Sequence, residues 1–436
     1  MKRVAISTLG CKTNQFESAA MSEQLKNAGY RIVAFSEPSD FYIINSCTVT
    51  ARTDAETRRL IRRARRLNPE SRIIATGCYA QVAPGELEKM SEIDCVLGNQ
   101  EKLNISNLLE SAGHSVADIS TITHTEPLKL TSFAEHTRAF LQIQNGCNSF
   151  CSYCIVPYAR GRSRSVITGD ILQGVHDLAA NGFKEVVLTG IHLGAYGLDL
   201  TSQTTLTGLI KGIDTANIIP RLRIGSVEPN EISQELLSLM AASGSICHHL
   251  HLPLQSGSNA VLSRMGRAYK AGFFRDLVAQ ISAAMPDAFI GADLIAGFPG
   301  ETEAEFAETA GLLEELPLSD LHVFPYSSRP GTRAAGMPGH LPDRVVTERA
   351  ARLRSVAAGK KAAFLKRFTG TEVRVLVQGF NEKTGICRGL SRNYINTSFP
   401  GTKALLNEEV AIMIESCHGE ACSGSLTKSL PPAVST

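Results

Sequence analysis

Three cysteines in Cys147-Asn-Ser-Phe-Cys151-Ser-Tyr-Cys154 present thiolates at a C-x3-C-x2-C spacing. Three thiolates on one short loop converge on a single point without closing a coordination shell. A structural zinc, or an electron-transfer cluster, takes a fourth protein ligand. The spacing therefore predicts an iron–sulfur cluster with one iron left open to something other than protein. The loop follows an apolar strand, Phe140-Leu-Gln-Ile-Gln144, and Gly146 lets the chain turn so that the thiolates aim inward.

A second trio is dispersed. Cys11 follows Thr8-Leu-Gly, Cys47 follows Asn45-Ser and Cys78 follows Thr76-Gly. Each comes directly after a short apolar run: Val4–Ser7, Phe41–Ile44 and Arg72–Ala75. If these are strands of one parallel sheet, the three cysteines lie along one rim, where α/β folds place their ligands. Buried apolar thiols are common, but three at equivalent strand ends predict a shared metal site, again short of a fourth ligand. Cys95, Cys247 and Cys387 read as core or surface thiols. Cys417 and Cys422 are expected to stay unpaired, because the start Met1-Lys-Arg-Val-Ala-Ile-Ser lacks the apolar core of a signal peptide and a cytoplasmic, reducing compartment follows.

The elements that must position these residues alternate. With 436 residues, 43% hydrophobic and 20% charged, the chain has the composition of a globular protein of two or three domains, and no run of about 18 apolar residues predicts a membrane span. Residues 1–112 read strand–helix–strand, with amphipathic helices at Ser18–Ala28 and Ala55–Leu67, and imply a parallel-sheet α/β domain. Residues 113–136, containing Asp118-Ile-Ser-Thr-Ile-Thr-His-Thr-Glu-Pro127, lose periodicity and read as a linker. Residues 137–367 hold six β/α units, with strands at Phe140–Gln144, Glu185–Thr189, Arg221–Gly225, His248–Leu252, Phe289–Leu294 and Leu321–Tyr326. They predict a partial (β/α)6 barrel with function at the C-terminal strand ends, followed by one long helix, Pro342–Phe368. Residues 368–430, with the β-rich runs Glu372–Val377 and Glu409–Ile414, suit a small antiparallel β-barrel of the oligonucleotide-binding type.

Polar and glycine-bearing motifs recur at the predicted barrel strand ends: Thr189-Gly-Ile-His-Leu-Gly194, Gly225-Ser-Val-Glu-Pro229, Leu252-Pro-Leu-Gln-Ser-Gly257, the run Gly291–Thr302, and Tyr326-Ser-Ser-Arg-Pro-Gly-Thr332. Gly190 allows close backbone approach, and Ser226, Glu228, Gln255 and Ser256 can hydrogen-bond a ligand carrying an amine, a carboxylate and hydroxyls. His248, His249 and His251 alternate between the two faces of a strand and are read as structural rather than as metal ligands.

The trio Cys147, Cys151 and Cys154 on the first strand of a six-unit barrel resembles the radical S-adenosylmethionine (SAM) enzymes. Three dispersed cysteines before it and a small β-barrel after it are similar to the methylthiotransferases, over nearly the whole chain. The words Thr8-Leu-Gly-Cys-Lys-Thr-Asn-Gln-Phe-Glu-Ser18, Cys47-Thr-Val-Thr50 and Thr76-Gly-Cys-Tyr-Ala-Gln81 resemble the branch acting on tRNA N6-threonylcarbamoyladenosine. After the first cysteine isopentenyladenosine enzymes have Gln-Met and those acting on a ribosomal-protein aspartate have Pro-Lys, whereas this chain has Lys12-Thr13. Asn45-Ser46-Cys47 stands where the family has Asn-Thr-Cys and keeps a hydroxyl. The resemblance implies two [4Fe-4S] clusters, one on Cys147, Cys151 and Cys154 with SAM on its open iron, the other on Cys11, Cys47 and Cys78. It implies Tyr153 near the adenine of SAM and a C-terminal RNA-binding TRAM domain. It implies a radical taken from SAM that removes hydrogen from C2 of the adenine, and sulfur delivered to that carbon from the second cluster. The implied partners are the tRNA anticodon stem-loop and a reducing system such as flavodoxin or ferredoxin, with the sulfur source left open. The non-catalytic alternative is an iron–sulfur RNA-binding protein.

RNA contact through phosphates calls for Lys and Arg. The candidates are Arg58–Arg66, with six arginines in nine residues, and the basic helix around Arg349–Arg367. Tyr394 and Phe399 are the expected stacking residues of the tail. Arg329 and Arg333 are the candidates for the threonylcarbamoyl carboxylate.

Overall fold

The computed structural model describes residues 1–111, 113–125, 128, 130 and 137–427. Residue 112, the linker positions 126, 127, 129 and 131–136, and the tail from Lys428 onward lie outside the described residues.

The first five strands are β1 (Arg3–Thr8), β2 (Arg31–Val33), β3 (Phe41–Ser46), β4 (Arg72–Gly77) and β5 (Cys95–Val96), parallel throughout in the order β2-β1-β3-β4-β5. Helices on both faces bury all six residues of β3, which is why Phe41-Tyr-Ile-Ile-Asn-Ser46 reads as a continuous run rather than an alternation. Helix α1 (Lys12–Asn27) starts immediately after Cys11, and α2 (Ala51–Leu67) starts after Thr50, whose hydroxyl accepts from the Thr53 amide in a capping box. Both helices begin several residues earlier than the hydrophobic pattern alone suggests, because their first turns face the rim. The segment read as a linker is partly built in: Ser115 bridges Leu97 in parallel register, and Ile119–Thr121 forms a buried-side 3-10 turn.

The central strands are β6 (Arg138–Gln142), the ribbon β7 (Gln144–Asn145) with β8 (Arg164–Ser165), then β9 (Glu185–Thr189), β10 (Arg221–Ile224), β11 (His249–Gln255), β12 (Phe289–Ala296) and β13 (Asp320–Pro325). They form parallel sheets in the orders β10-β9-β6 and β11-β12-β13. Bridges Leu222–Ile246 and Ser226–His251 join these into one open six-stranded wall. Helices between the strands cover its outside and share one apolar core with it, built around Val186, Leu188, Leu222, Leu250, Ala292 and Leu313.

After the helix Asp343–Lys366 come β14 (Glu372–Asn381), β15 (Ile386–Ser391), β16 (Asn396–Pro400), β17 (Glu409–His418) and β18 (Ala421–Leu426), closed in the order β14-β15-β16-β18-β17. A ring of five strands cannot be antiparallel at every joint. Here β16 and β18 make the parallel one, so the all-antiparallel expectation fails at that seam. Cys417 and Cys422 form a disulfide, against the expectation that they stay apart. They face each other in the β17–β18 register, so the hairpin itself brings the sulfurs together.

The small barrel caps the N-terminal end of the large one through a buried ionic network. Glu185 on β9 accepts from Arg221 Nε and Arg223 Nε, both at 2.8 Å, and all three side chains are fully buried. The same guanidiniums reach across to Glu409 and to the carbonyls of Leu390, Ser391 and Arg392. Tyr394 packs between His249, Phe289 and Arg223 at this joint, and Phe399 lies in the small barrel's core. Neither is available to stack on a base, which corrects that expectation. Their aromatic character serves packing.

The expected basic surfaces are also partly consumed. Arg65 donates to the carbonyls of Pro69, Ser71 and Glu92 and to Asp94, closing the end of α2, while Arg58 bonds Tyr79 and Arg59 pairs with Glu56. On the long helix, Arg349 is buried against Glu301, Lys361 pairs with Asp320, and Lys360 caps the carbonyls of Glu314 and Leu316. These residues tie elements together, so the charge run overstates the cation count open to a phosphate.

Candidate active site

Because β1, β3 and β4 are neighbours pointing the same way, Cys11, Cys47 and Cys78 meet at one rim. Two glycines make that approach possible. At Gly10 (φ +95°) a Cβ would lie 2.7 Å from both Cβ and Sγ of Cys47, and at Gly77 (φ +92°) it would lie 2.4 Å from the Ser46 carbonyl. Cys11 is exposed, and Cys47 and Cys78 are buried. Burial, and next the neighbouring Cys78, pushes the Cys47 thiol up to about 12, so a bare Cys47 keeps its proton until a metal displaces it.

Behind this trio lies a buried charge cluster. Glu17 on α1 accepts from Lys102 Nζ at 2.6 Å and from both terminal nitrogens of Arg160, whose Nη2 also reaches Asn14. Arg160 Nε points at Cys78 Sγ, 3.3 Å away. Two cations against one carboxylate, all nearly or fully buried, leave an excess positive charge facing the cysteines. A cluster held by three thiolates is an anion, so the site's charge as well as its donor set fits such a group.

Cys147, Cys151 and Cys154 lie on the loop after β7, with the turn made by Gly146 (φ +73°), where a Cβ would fall 1.9 Å from the Arg162 carbonyl. Cys154 is pushed up to about 12 by burial. Cys147 Sγ is 3.5 Å from His192 Nδ1, and His192 Nε2 is 2.7 Å from Glu231. The three cysteines line a cavity of about 370 Å³ together with Tyr153, Ser226, Glu228 and Gln255, a volume ordinary for a small-molecule site. Four of the six ligand-binding candidates thus meet there, and a fifth, Gly190, lines the adjoining cavity of the other trio. Ser256 does not join them; it is buried against Thr309. Gln255 reaches the cavity from a bulge in β11 at φ +68°.

Sequence reading missed Arg267, which pairs with Glu228, donates to Cys151 Sγ at 3.3 Å and also bonds Tyr269. Nothing in its local sequence marks it, since its partners in the cavity, Glu228 and Cys151, lie 39 and 116 residues away. Arg329 is corrected as a ligand-binding candidate: it is buried against Asp54 and Thr48 and joins the first sheet's α2 to the barrel. Arg333 bonds the Phe150 carbonyl and holds the cysteine loop. Of the three histidines, His248 pairs with Asp287, His249 is buried at the barrel joint, and His251 meets Asp293 and His322 inside the wall.

The cavity of about 1010 Å³ beside Cys11, Cys47 and Cys78 shares Val49, Thr50, Ile191, Ser226, Phe324 and Tyr326 with the one beside Cys147, so the two trios open into one connected space.

Comparison with known proteins agrees with this layout. Residues 3–98 match the family described as "Uncharacterized protein family UPF0004", and residues 141–313 match the Radical SAM superfamily. The chain is 37% identical over 95% of its length to a threonylcarbamoyladenosine tRNA methylthiotransferase of Bacillus subtilis, covering 94% of that protein. It is 40% identical over 92% of its length to the Aquifex aeolicus protein of the same name, covering 97% of it. Among solved structures, a radical SAM methyltransferase from Kitasatospora setae superimposes with a TM-score of 0.54 at 15% identity, over 76% of this chain and 77% of that one, which speaks to fold alone. The six-stranded wall, the paired cysteine trios and the full-length similarity together place this chain in the radical SAM methylthiotransferase family.

Proposed function

We propose that this protein is the tRNA methylthiotransferase that converts N6-threonylcarbamoyladenosine, next to the anticodon, to its 2-methylthio derivative in the cytoplasm. The observation that carries this reading is the pair of three-thiol sites opening into one connected cavity. Two such sites suit a reaction that needs a radical at one place and sulfur at another. Cys147, Cys151 and Cys154 would hold one [4Fe-4S] cluster, and Cys11, Cys47 and Cys78 the other. When bound, the clusters and SAM supply the hydrogen-abstracting radical, the methyl group and the transferred sulfur, chemistry no side chain here can perform on an aromatic C–H bond.

The chain's own residues position and insulate. Glu228, fixed by Arg267, presents a carboxylate beside Cys151 and suits the amino group of SAM. Tyr153, Ser226 and Gln255 line the remainder of that space and suit the adenosine moiety. His192, held by Glu231, fixes the outer side of Cys147. Phe324 and Val49, exposed at the cavity shared by both trios, offer apolar surface to a base lifted out of the anticodon loop. Arg52 lines the same cavity and suits a flanking phosphate. The closed barrel Glu372–Leu426 acts as a TRAM-type RNA-binding unit through its exposed strands rather than through Tyr394 or Phe399. A flavodoxin- or ferredoxin-like reductant would supply the electron.

The threonylcarbamoyl branch is preferred over isopentenyladenosine or protein aspartate because the two relatives named above, at 37% and 40% identity, carry that name and Lys12-Thr13 follows the first cysteine. The decisive experiment separates the two trios. Cys147→Ala is expected to abolish formation of 5′-deoxyadenosine, whereas Cys47→Ala retains it and makes no methylthiolated nucleoside. A Cys47→Ala enzyme that still makes product would overturn the division of roles.

A further inference from the structure

One cluster in the wall belongs to neither cysteine trio. His251 Nε2 and His322 Nδ1 both meet Asp293 Oδ1, at 2.8 and 3.3 Å, with ring centroids 4.9 Å apart. They come from the adjacent strands β11, β12 and β13, so the wall's register sets their spacing. Gly291 makes room: a Cβ there would lie 2.8 Å from His251 Nδ1. The three residues line the larger cavity, on the wall that faces the Cys11 trio.

Asp293 engages one ring nitrogen of each histidine, and among the described residues His322 Nε2 carries no hydrogen bond. The His322 side chain is 56% exposed. Its hydrogen bond to Asp293 outweighs desolvation and raises its proton affinity above the ordinary imidazole range, with Asp320 adding and Lys361 opposing. Arg354 reaches the Val323 carbonyl, one residue from His322, and lines the same cavity. Of the charged residues lining it, Asp293 is the one carboxylate, against Lys12, Arg52, Arg160 and Arg354. A cavity lined this way receives an anion.

We propose that His322, backed by Asp293 and His251 and flanked by Arg354, is the subsite that reads the carboxylate at the threonyl end of the modified adenosine. This rests on the function proposed above. In that substrate the carboxylate projects from N6, on the far side of N1 from the reacting C2, so a cationic contact on the cavity wall, outside both sets of thiols, suits it. An imidazolium N–H oriented by a carboxylate is a preorganised, charge-assisted donor. An isopentenyl group, with no anion, would leave that donor desolvated and unpaired, which makes the contact one that sets specificity.

The test uses the reconstituted full-length enzyme and three anticodon stem-loops, carrying N6-threonylcarbamoyladenosine, its methyl ester, or unmodified adenosine at the target position. Binding and single-turnover methylthiolation are measured for each. Wild type is expected to prefer the free acid over the ester by about 10- to 100-fold, the range of a charge-assisted hydrogen bond. His322→Phe should bring that ratio close to one, and His322→Lys should restore most of it. His322 is exposed and leaves the core intact, so loss of fold does not obscure the comparison.

An unchanged acid-to-ester ratio in His322→Phe would overturn the assignment. So would an equal loss on all three loops with a flatter salt dependence, which marks a phosphate contact. Metal analysis supplies a further arm: one divalent ion per chain beyond the cluster iron, lost in His322→Phe, would make the trio a metal site instead. If wild type methylthiolates none of the loops, the functional reading fails, while the binding ratios still judge the subsite by themselves.

Discussion

Glu17 sits between two buried cations, and that sharing has a measurable signature. Removing one partner of a buried ion pair costs about 3–5 kcal/mol when the other charge is left alone. In Lys102→Met, Glu17 keeps its bonds to Arg160; in Arg160→Met it keeps the 2.6 Å bond to Lys102. Each single substitution then loses charge-assisted hydrogen bonds without orphaning the carboxylate, at about 2 kcal/mol. Arg160→Met is the larger, since Asn14 and Cys78 also lose a donor. The double variant orphans Glu17 and is expected to exceed the sum of the singles by about 2 kcal/mol. Native-state hydrogen exchange on the amides of β3, whose Asn45 also contacts Lys102, reads the local opening energy directly. Effects that add to within about 0.5 kcal/mol would show that Glu17 is not the shared counter-ion. Because Arg160 Nε also faces Cys78, Arg160→Met should make the potential of the second cluster more negative, read by anaerobic redox titration with electron paramagnetic resonance.

Burial alone would raise Glu185, but Arg223 and Arg221 hold it down at about 2 against an ordinary 4.5. Its contribution to folded-state stability, made through the guanidiniums that also hold the small barrel, is therefore complete above about pH 4.5 and fades as pH falls toward 2, worth about 3 kcal/mol in all. Glu185→Gln should release residues 372–426 to limited proteolysis at neutral pH, and a resistant variant would refute the joint as described. Gly10→Ala drives a methyl into Cys47 and should halve the iron content from about eight to about four per chain. Gly29→Ala, equally left-handed at φ +87° with nothing within 4 Å, should cost about 1 kcal/mol and leave iron unchanged.

What could be read from the residues follows the range of the interactions. Both cysteine trios were legible because three of the ligands sit within one loop and the other three follow strands whose apolar runs are local signals. Ser226, Glu228 and Gln255 were read from recurrence at strand ends and Tyr153 from the family resemblance, and the fold brings all four to one cavity. Arg267, Arg160 and the His251–Asp293–His322 cluster were not legible, since each depends on partners that the tertiary fold brings together over tens to more than a hundred residues. Charge runs misled in the opposite sense. Arg65 and Lys360 look like free cations in the sequence, yet they cap carbonyls. Tyr394 and Phe399 look like stacking residues in an isolated β-barrel, yet closure buries Phe399 and docking leaves Tyr394 half-buried against His249 and Phe289. The Cys417–Cys422 bond was hidden because compartment argued one way and hairpin register the other.

The central claim is that this chain places a methylthio group on threonylcarbamoyladenosine in tRNA. Mass spectrometry of nucleosides from tRNA of cells lacking the protein, and of the same cells carrying the wild-type or Cys47→Ala chain, tests it most directly. 2-Methylthio-N6-threonylcarbamoyladenosine is expected to be absent without the protein, to return with wild type and not to return with Cys47→Ala, while its unmethylthiolated precursor accumulates. An unchanged nucleoside profile without the protein would contradict it.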